Sequence, residues 1–197
     1  MYIAIEGNIG AGKSTIAKAL AKKLNAHFLP EKFEENTLLP LFYENKKKLA
    51  LLTELSFLIE RQNQLSTFFK NSTHKIVVSD FHLDKCICFA KANLNEHDYK
   101  IYKKNFLVIK ETLPEPDLVI YIDVETHLLL NNIKIRNRGM EQKIKASYLN
   151  KVSKAFENHY KLNQKKLKQF LILPIKNYTK QTTNECCDVI INALSLK

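Results

Sequence analysis

IEGNIGAGKST, residues 5–15, holds three of the four glycines in a chain of 197 residues, and its reading decides the fold. From Gly7 to Ser14 it matches G-x-x-x-x-G-K-[ST] at every fixed position. The apolar run YIAIE (2–6) precedes it. STIAKALAKKL follows, with Ile16, Leu20 and Leu24 on one helical face. Strand, bare loop and helix in this order make a cradle for phosphate. Backbone N–H groups turn inward on the anion, side chains would obstruct them, and the helix N-terminus adds its dipole. Gly7, Asn8, Ile9, Gly10, Ala11, Gly12, Lys13, Ser14 and Thr15 are therefore the expected nucleoside triphosphate site. Lys13 is placed to neutralise the outer phosphates and Ser14 to ligate Mg²⁺.

Four more β-branched or aromatic runs follow: 26–30, 75–80, 117–124 and 170–175. Helical segments separate them, the longest being KKLALLTELSFLIERQNQLSTFF (47–69), which lacks glycine and proline. HDYKIYKKNFLVIKETL, VETHLLLNNIKIR and SYLNKVSKAFENHYKLNQKKLK read as further helices. Pro114 and Pro116 stop a helix and launch the nearly all-apolar run DLVIYIDV, as expected of a central strand covered on both faces. The alternation predicts an α/β, three-layer fold with a five-stranded parallel sheet flanked by helices. Without repeats or linkers, residues 1–197 are expected to form one domain.

Composition narrows the class. Hydrophobic residues make up 45% and charged residues 26% of the chain, as in an ordinary globular protein. No apolar run approaches the ~18–20 residues of a bilayer span, and MYIAIEG lacks a basic n-region. A cytoplasmic protein without membrane contact is expected. Cys86-x-Cys88 and Cys186-Cys187 lack zinc spacing and are expected to be packed thiols. The net charge of +11 comes mostly from lysine spread along helices, which reads as solvated faces and an attractive field for anionic substrates. No nucleic-acid partner is expected.

The loop alone does not name the reaction. A switch GTPase needs N-K-x-D, which is absent. A small-molecule kinase needs a base for the acceptor hydroxyl, a metal-associated carboxylate and cationic groups on a mobile segment. Glu31 lies just past the second strand, where strand ends converge on the ligand crevice. Asp80 ends the third. Arg136 and Arg138, beside Gly139, suit a short arginine-bearing lid, about 136–145, with the glycine as pivot.

With these residues in place, the sequence resembles the deoxynucleoside kinase family, closest to its bacterial purine-specific members. The likeness spans nearly the whole chain. It rests on IEGNIGAGKST, PEKFEEN, FYENKKKLALLTELSFLIERQNQL, SDFHLDKCICFA, PEPDLVIYIDV and IRNRGMEQKIKASYL, in order and spacing. It implies a P-loop kinase fold and transfer of the ATP γ-phosphoryl group to a deoxynucleoside 5′-hydroxyl, with Mg²⁺, in nucleotide salvage. By resemblance, Glu31 is the general base and Asp80 helps hold the metal. Arg136 and Arg138 grip the donor phosphates, while Tyr43 and Glu141 hydrogen-bond the sugar 3′-hydroxyl. Arg61 stands beside the base with Asp84 as its charge partner. Glu54 falls where many relatives place a base-reading glutamine. Phe81 stands where the family has an arginine, leaving Lys85 or the lid to assume its role. Lys32 replaces a proline, and a nearby tryptophan is missing.

Glu54 and Arg61 are about two helical turns apart on one side of the long helix, with Phe57 and Leu58 as candidate pocket walls. A carboxylate supplies only acceptors. Guanine offers N1–H and N2–H₂ as adjacent donors, whereas adenine offers one donor and one acceptor. Deoxyguanosine is therefore expected first and deoxyadenosine second. A thymidylate kinase-like nucleoside monophosphate kinase and a non-catalytic P-loop regulator are the alternatives. Leu51, Leu52, Leu55 and Ile59 exceed what one sheet face can cover, and family members are typically dimers. A homodimer through the long helix, about 47–70, is expected.

Overall fold

The computed structural model describes residues 1–179 and 181–195. Its centre is a parallel sheet of five strands: β1 (Tyr2–Gly7), β2 (His27–Leu29), β3 (Val77–Ser79), β4 (Leu118–Val124) and β5 (Phe170–Ile175). The order across the sheet is β2-β3-β1-β4-β5. Ala4 pairs with Ser79 on one side and with Val119 on the other, so β1 lies at the centre. Four strands fall within the apolar runs and β1 extends its run by one residue, to Gly7, and the fold is the P-loop kinase architecture that the sequence predicts.

Among the described residues eight α-helices cover the sheet: α1 (Lys13–Lys23), α2 (Leu38–Glu44), α3 (Lys46–Asn71), α4 (Asp84–Asn93), α5 (Glu96–Lys110), α6 (Thr126–Arg136), α7 (Ala146–Asn163) and α8 (Thr182–Ser195). Side chains alternate across the strands, so the sheet has two apolar faces. Ile3, Ile5, Ile120 and Ile122 meet Ile16 and Leu20 of α1 and Ile190 of α8. Tyr2, Ala4, Val119 and Tyr121 meet Leu58 of α3, Tyr102 of α5 and Phe156 of α7.

The helices α2, α4 and α8 have no counterpart in the sequence reading. In α4 the residues Asp84, Lys85, Cys86, Ile87, Cys88, Ala90 and Ala92 are all buried. With seven of its ten residues buried and only Lys91 exposed, the helix has no polar stripe, and with it no period to detect. The four cysteines are buried free thiols. No helix among the described residues is long and apolar enough to cross a membrane.

Candidate active site

The phosphate loop leaves β1 and turns through Gly10 (φ 83°) and Gly12 (φ 75°) into α1. A Cβ on Gly10 would stand 2.7 Å from the Leu129 carbonyl oxygen and 3.1 Å from Ile133 Cγ1. Helix α6 therefore packs directly on bare backbone, and Asn132 donates to the Gly10 carbonyl at 2.8 Å. The Asn8 side chain turns away from the cradle and donates to the Leu149 carbonyl and Ser153 Oγ, both at 2.8 Å. Its Oδ1 accepts from the Ile9 N–H of the loop at 2.7 Å, and its carbonyl accepts from Lys13 Nζ at 2.9 Å. Tyr178 clasps the outer side, its hydroxyl donating to the Ala11 carbonyl at 3.0 Å. Desolvation, then the nearby Lys85 ammonium, lowers the Lys13 pKa.

The strand ends deliver the carboxylates. Ser14 Oγ donates to Asp80 Oδ2, and the Glu31 N–H donates to Asp80 Oδ1 at 2.7 Å. Asp80 thus joins the loop to the chain after β2. Glu31 Oε1 accepts from Arg61 Nε at 2.8 Å and Nη2 at 2.7 Å, and Oε2 accepts from Lys85 Nζ at 2.5 Å. Burial alone would raise the Glu31 carboxyl. The Lys85 ammonium, followed by the Arg61 guanidinium, reverses this and holds it at about 2. Beneath these groups Glu6 is fully buried. Its Oε1 accepts from the His82 N–H at 2.5 Å, while Oε2 has no hydrogen-bond partner among the described residues. Burial raises its pKa against the opposing charges of Lys85 and Lys13.

The structure corrects one expectation at this point. Asp84 does not pair with Arg61. It accepts from Lys110 Nζ at 2.6 Å and lies 3.0 Å from His159 Nε2, on the far side of α4 from the cleft. Successive helical residues project about 100° apart, so when Lys85 faces Glu31 its neighbour Asp84 must face α5 and α7. Arg61 is held instead by Glu31 and by Cys86 Sγ, 3.2 Å from Nη1. Lys85 pairs with Glu31 at the phosphate end of the cleft.

Most of the remaining residues converge on one cleft running from the phosphate loop to α3, while Gly7, Asn8, Ala11, Gly12 and Thr15 are not among its walls. Its walls include Lys13, Ser14, Glu31, Asp80 and Lys85 at one end and Tyr43, Glu54, Phe57, Arg61 and Glu141 further in. Two helical stripes build it. Glu54, Phe57 and Arg61 follow at i, i+3 and i+7 on α3, and Lys85, Phe89 and Asn93 at i, i+4 and i+8 on α4. The Arg61 guanidinium lies over the Phe57 ring, 4.4 Å from its centroid. Leu58, by contrast, is fully buried in the core and forms no wall. Glu54 Oε1 accepts from Asn93 Nδ2 at 2.6 Å, and burial raises the Glu54 pKa to about 7 against that bond and Arg61. Asn93, Phe89 and Tyr148 are cleft residues that sequence reading missed. The i, i+4, i+8 spacing from Lys85 is the signal that reveals the first two.

The two arginines flank the cleft mouth. Arg136 ends α6 and donates to Glu141 Oε2. Arg138 Nη2 lies 3.2 Å from Glu34 Oε1, with its guanidinium 4.5 Å from the Phe33 ring centroid. Asn137 between them takes the left-handed conformation, φ 52°. A Cβ on Gly139 would meet nothing within 4 Å, so this glycine is not forced by its surroundings.

Comparison with known proteins identifies the family. The family model for deoxynucleoside kinase matches residues 3–193. A deoxyguanosine kinase of Bacillus subtilis is 34% identical over 181 residues, covering 91% of this chain and 87% of the relative. A deoxyadenosine kinase of Dictyostelium discoideum is 34% identical over 163 residues, covering 79% of this chain and 64% of the relative. Among solved structures, a deoxyadenosine kinase from M. mycoides with the products dCMP and a flexible dCDP bound superposes with a TM-score of 0.86. It is 30% identical, and each chain is covered in full. A cleft with a phosphate loop at one end and a buried carboxylate within, on this fold and with these relatives, has one reading: the chain belongs to the deoxynucleoside kinase family.

Proposed function

We propose that the protein transfers the γ-phosphoryl group of ATP to the 5′-hydroxyl of a purine deoxynucleoside, deoxyguanosine before deoxyadenosine. The observation that carries this is the placement of Glu31: buried, ionised, and within one cleft with Lys13, Ser14 and Asp80. Its carboxylate is the acceptor for the 5′-hydroxyl proton as that oxygen attacks phosphorus. Lys13 and the loop amides hold the donor phosphates, and Arg136 and Arg138 close on them from the lid, about 136–145. Tyr43 and Glu141 face the sugar, and Glu54 and Arg61 face the base. Asp84, turned away, has no part in substrate binding.

Ser14 and Asp80 suit Mg²⁺, because their oxygens lie together at the phosphate end and are the hard donors this ion prefers. The metal, when bound, would neutralise charge on the donor phosphates. Asp80 also fixes Glu31 through its backbone N–H, so the two carboxylates keep a set relation.

The reading includes a single domain, a cytoplasmic location and a homodimer through the long helix. Leu52 and Ile59, 54% and 48% exposed, lie seven residues apart on one line of α3. Leu51 and Leu55 pack against the core instead. Ile101, Leu107 and Val108 extend the apolar surface on α5, so that two copies would bury a helical bundle.

The deciding experiment offers each deoxynucleoside and its 5′-monophosphate as acceptor with Mg-ATP. Deoxynucleosides should be phosphorylated and monophosphates left unchanged. Turnover of monophosphates alone would make the protein a nucleoside monophosphate kinase.

A further inference from the structure

Two side chains outside the cleft tie down the phosphate loop from behind. Asn132 Nδ2 donates to the Gly10 carbonyl at 2.8 Å, and the Tyr178 hydroxyl donates to the Ala11 carbonyl at 3.0 Å. Asn132 also hydrogen-bonds the Tyr178 hydroxyl, so α6 and the chain after β5 meet over the loop. The Tyr178 ring lies across Gly12, where an added Cβ would stand 3.5 Å from Cε1. Burial pushes the phenol up to about 12, so the hydroxyl stays a donor throughout the neutral range. Neither residue is among the cleft walls.

A trans peptide points its C=O and its N–H in opposite directions. Pinning the Ala11 carbonyl therefore fixes the Gly12 N–H, directed away from Tyr178. Pinning the Gly10 carbonyl likewise fixes the Ala11 N–H, which closes a turn on the Asn8 carbonyl at 3.2 Å. Gly10 and Gly12, with φ of 83° and 75°, have no side chain to stiffen them. A loop of such residues loses entropy when it orders around an anion, unless its neighbours have ordered it beforehand.

We propose that Tyr178 and Asn132 are positioning residues for the donor phosphates, holding the loop peptides in the phosphate-binding conformation before ATP arrives. Each acts through a backbone carbonyl and touches no part of the nucleotide. Asn132 and Arg136 lie one turn apart on α6, so the same mooring fixes a lid arginine relative to the loop.

The inference rests on the loop holding the donor phosphates, and binding measurements separate the two. Magnesium tripolyphosphate carries the phosphate chain without sugar or base. Its binding to wild type and Tyr178→Phe is measured by calorimetry, beside steady-state kinetics. The variant keeps the ring and loses only the hydroxyl. Its Kd for tripolyphosphate and KM for ATP should both rise about fivefold, the effect of one hydrogen bond. The kcat and the KM for the deoxynucleoside should stay within about twofold. Asn132→Asp, which sets an acceptor against the Gly10 carbonyl, should weaken tripolyphosphate at least as much. Unchanged tripolyphosphate binding in either variant would overturn the proposal. If KM for ATP rose all the same, Tyr178 would be contacting the nucleoside half of ATP. Equal losses for ATP and the deoxynucleoside, with a lowered melting temperature, would mean general loosening and would also overturn it. A wild type that binds neither tripolyphosphate nor ATP would sink the donor-site reading itself.

Discussion

Lys85 Nζ lies 2.5 Å from Glu31 Oε2, while the opposite oxygen of the same carboxylate takes both donors of Arg61. The buried carboxylate is thereby kept ionised, at about 2. Lys85→Met retains the apolar stem and removes the cation. Wild-type kcat/KM should show no acid limb from Glu31 above pH 5. In the variant the Glu31 pKa rises to or above the ordinary value of about 4.3, because burial is then less opposed. An acid limb should enter the accessible range, with the loss of kcat larger at pH 5 than at pH 8, where Glu31 stays ionised. An unchanged pH–rate profile would show that Lys85 does not govern Glu31.

Glu54 makes a different pH prediction. Its folded pKa, about 7, lies above the ordinary carboxyl value, so the folded state binds this proton more tightly than the unfolded chain. That contribution is present in full below about pH 4.3 and is lost as pH rises through 7. The difference amounts to about 4 kcal/mol at alkaline pH, since one unit is worth about 1.4 kcal/mol. Glu54→Gln should therefore raise the melting temperature at pH 8 and do so much less at pH 5. A group that reads substrate at a cost in stability fits a binding role. Equal melting shifts at both pH values would contradict the assignment.

Two glycines should respond in opposite ways. Gly10→Ala places Cβ against the Leu129 carbonyl at a positive φ, and that backbone cannot yield. Stability should fall by about 1–3 kcal/mol, with ATP-dependent turnover lost. Gly139→Ala meets open space and should keep near-wild-type stability and KM for ATP. Thermal unfolding and donor kinetics of the two variants check both statements.

The α3 surface gives a solution prediction. Leu52→Glu with Ile59→Glu places charge on the two exposed apolar positions of the long helix. Small-angle scattering should report a dimer for the wild type and a monomer for the double variant. A monomeric wild type would refute the dimer.

The sheet was legible because buried parallel strands are short apolar runs between helical stretches, and each of the five rests on such a run. The phosphate loop was legible because its glycines answer to geometry, as Gly10 does against Leu129. Gly139 carries no such demand, since a Cβ there would meet nothing within 4 Å. Helix α4 hid from periodicity because most of it is buried, charged Asp84 and Lys85 included. With α4 went the directions of its side chains, so Asp84 was assigned to Arg61 while it faces Lys110 and His159. Asn93 was invisible on the same account, since only the helix puts it in line with Lys85 and Phe89.

The central claim is phosphoryl transfer to a purine deoxynucleoside with Glu31 as base. It is tested most directly by incubating wild type and Glu31→Gln with Mg-ATP and each of the four deoxynucleosides and measuring the 5′-monophosphate formed. The wild type should make dGMP fastest and dAMP next, and Glu31→Gln should lose about 10²–10⁴ in kcat. No monophosphate from any of the four, or full turnover without the Glu31 carboxylate, would contradict the account.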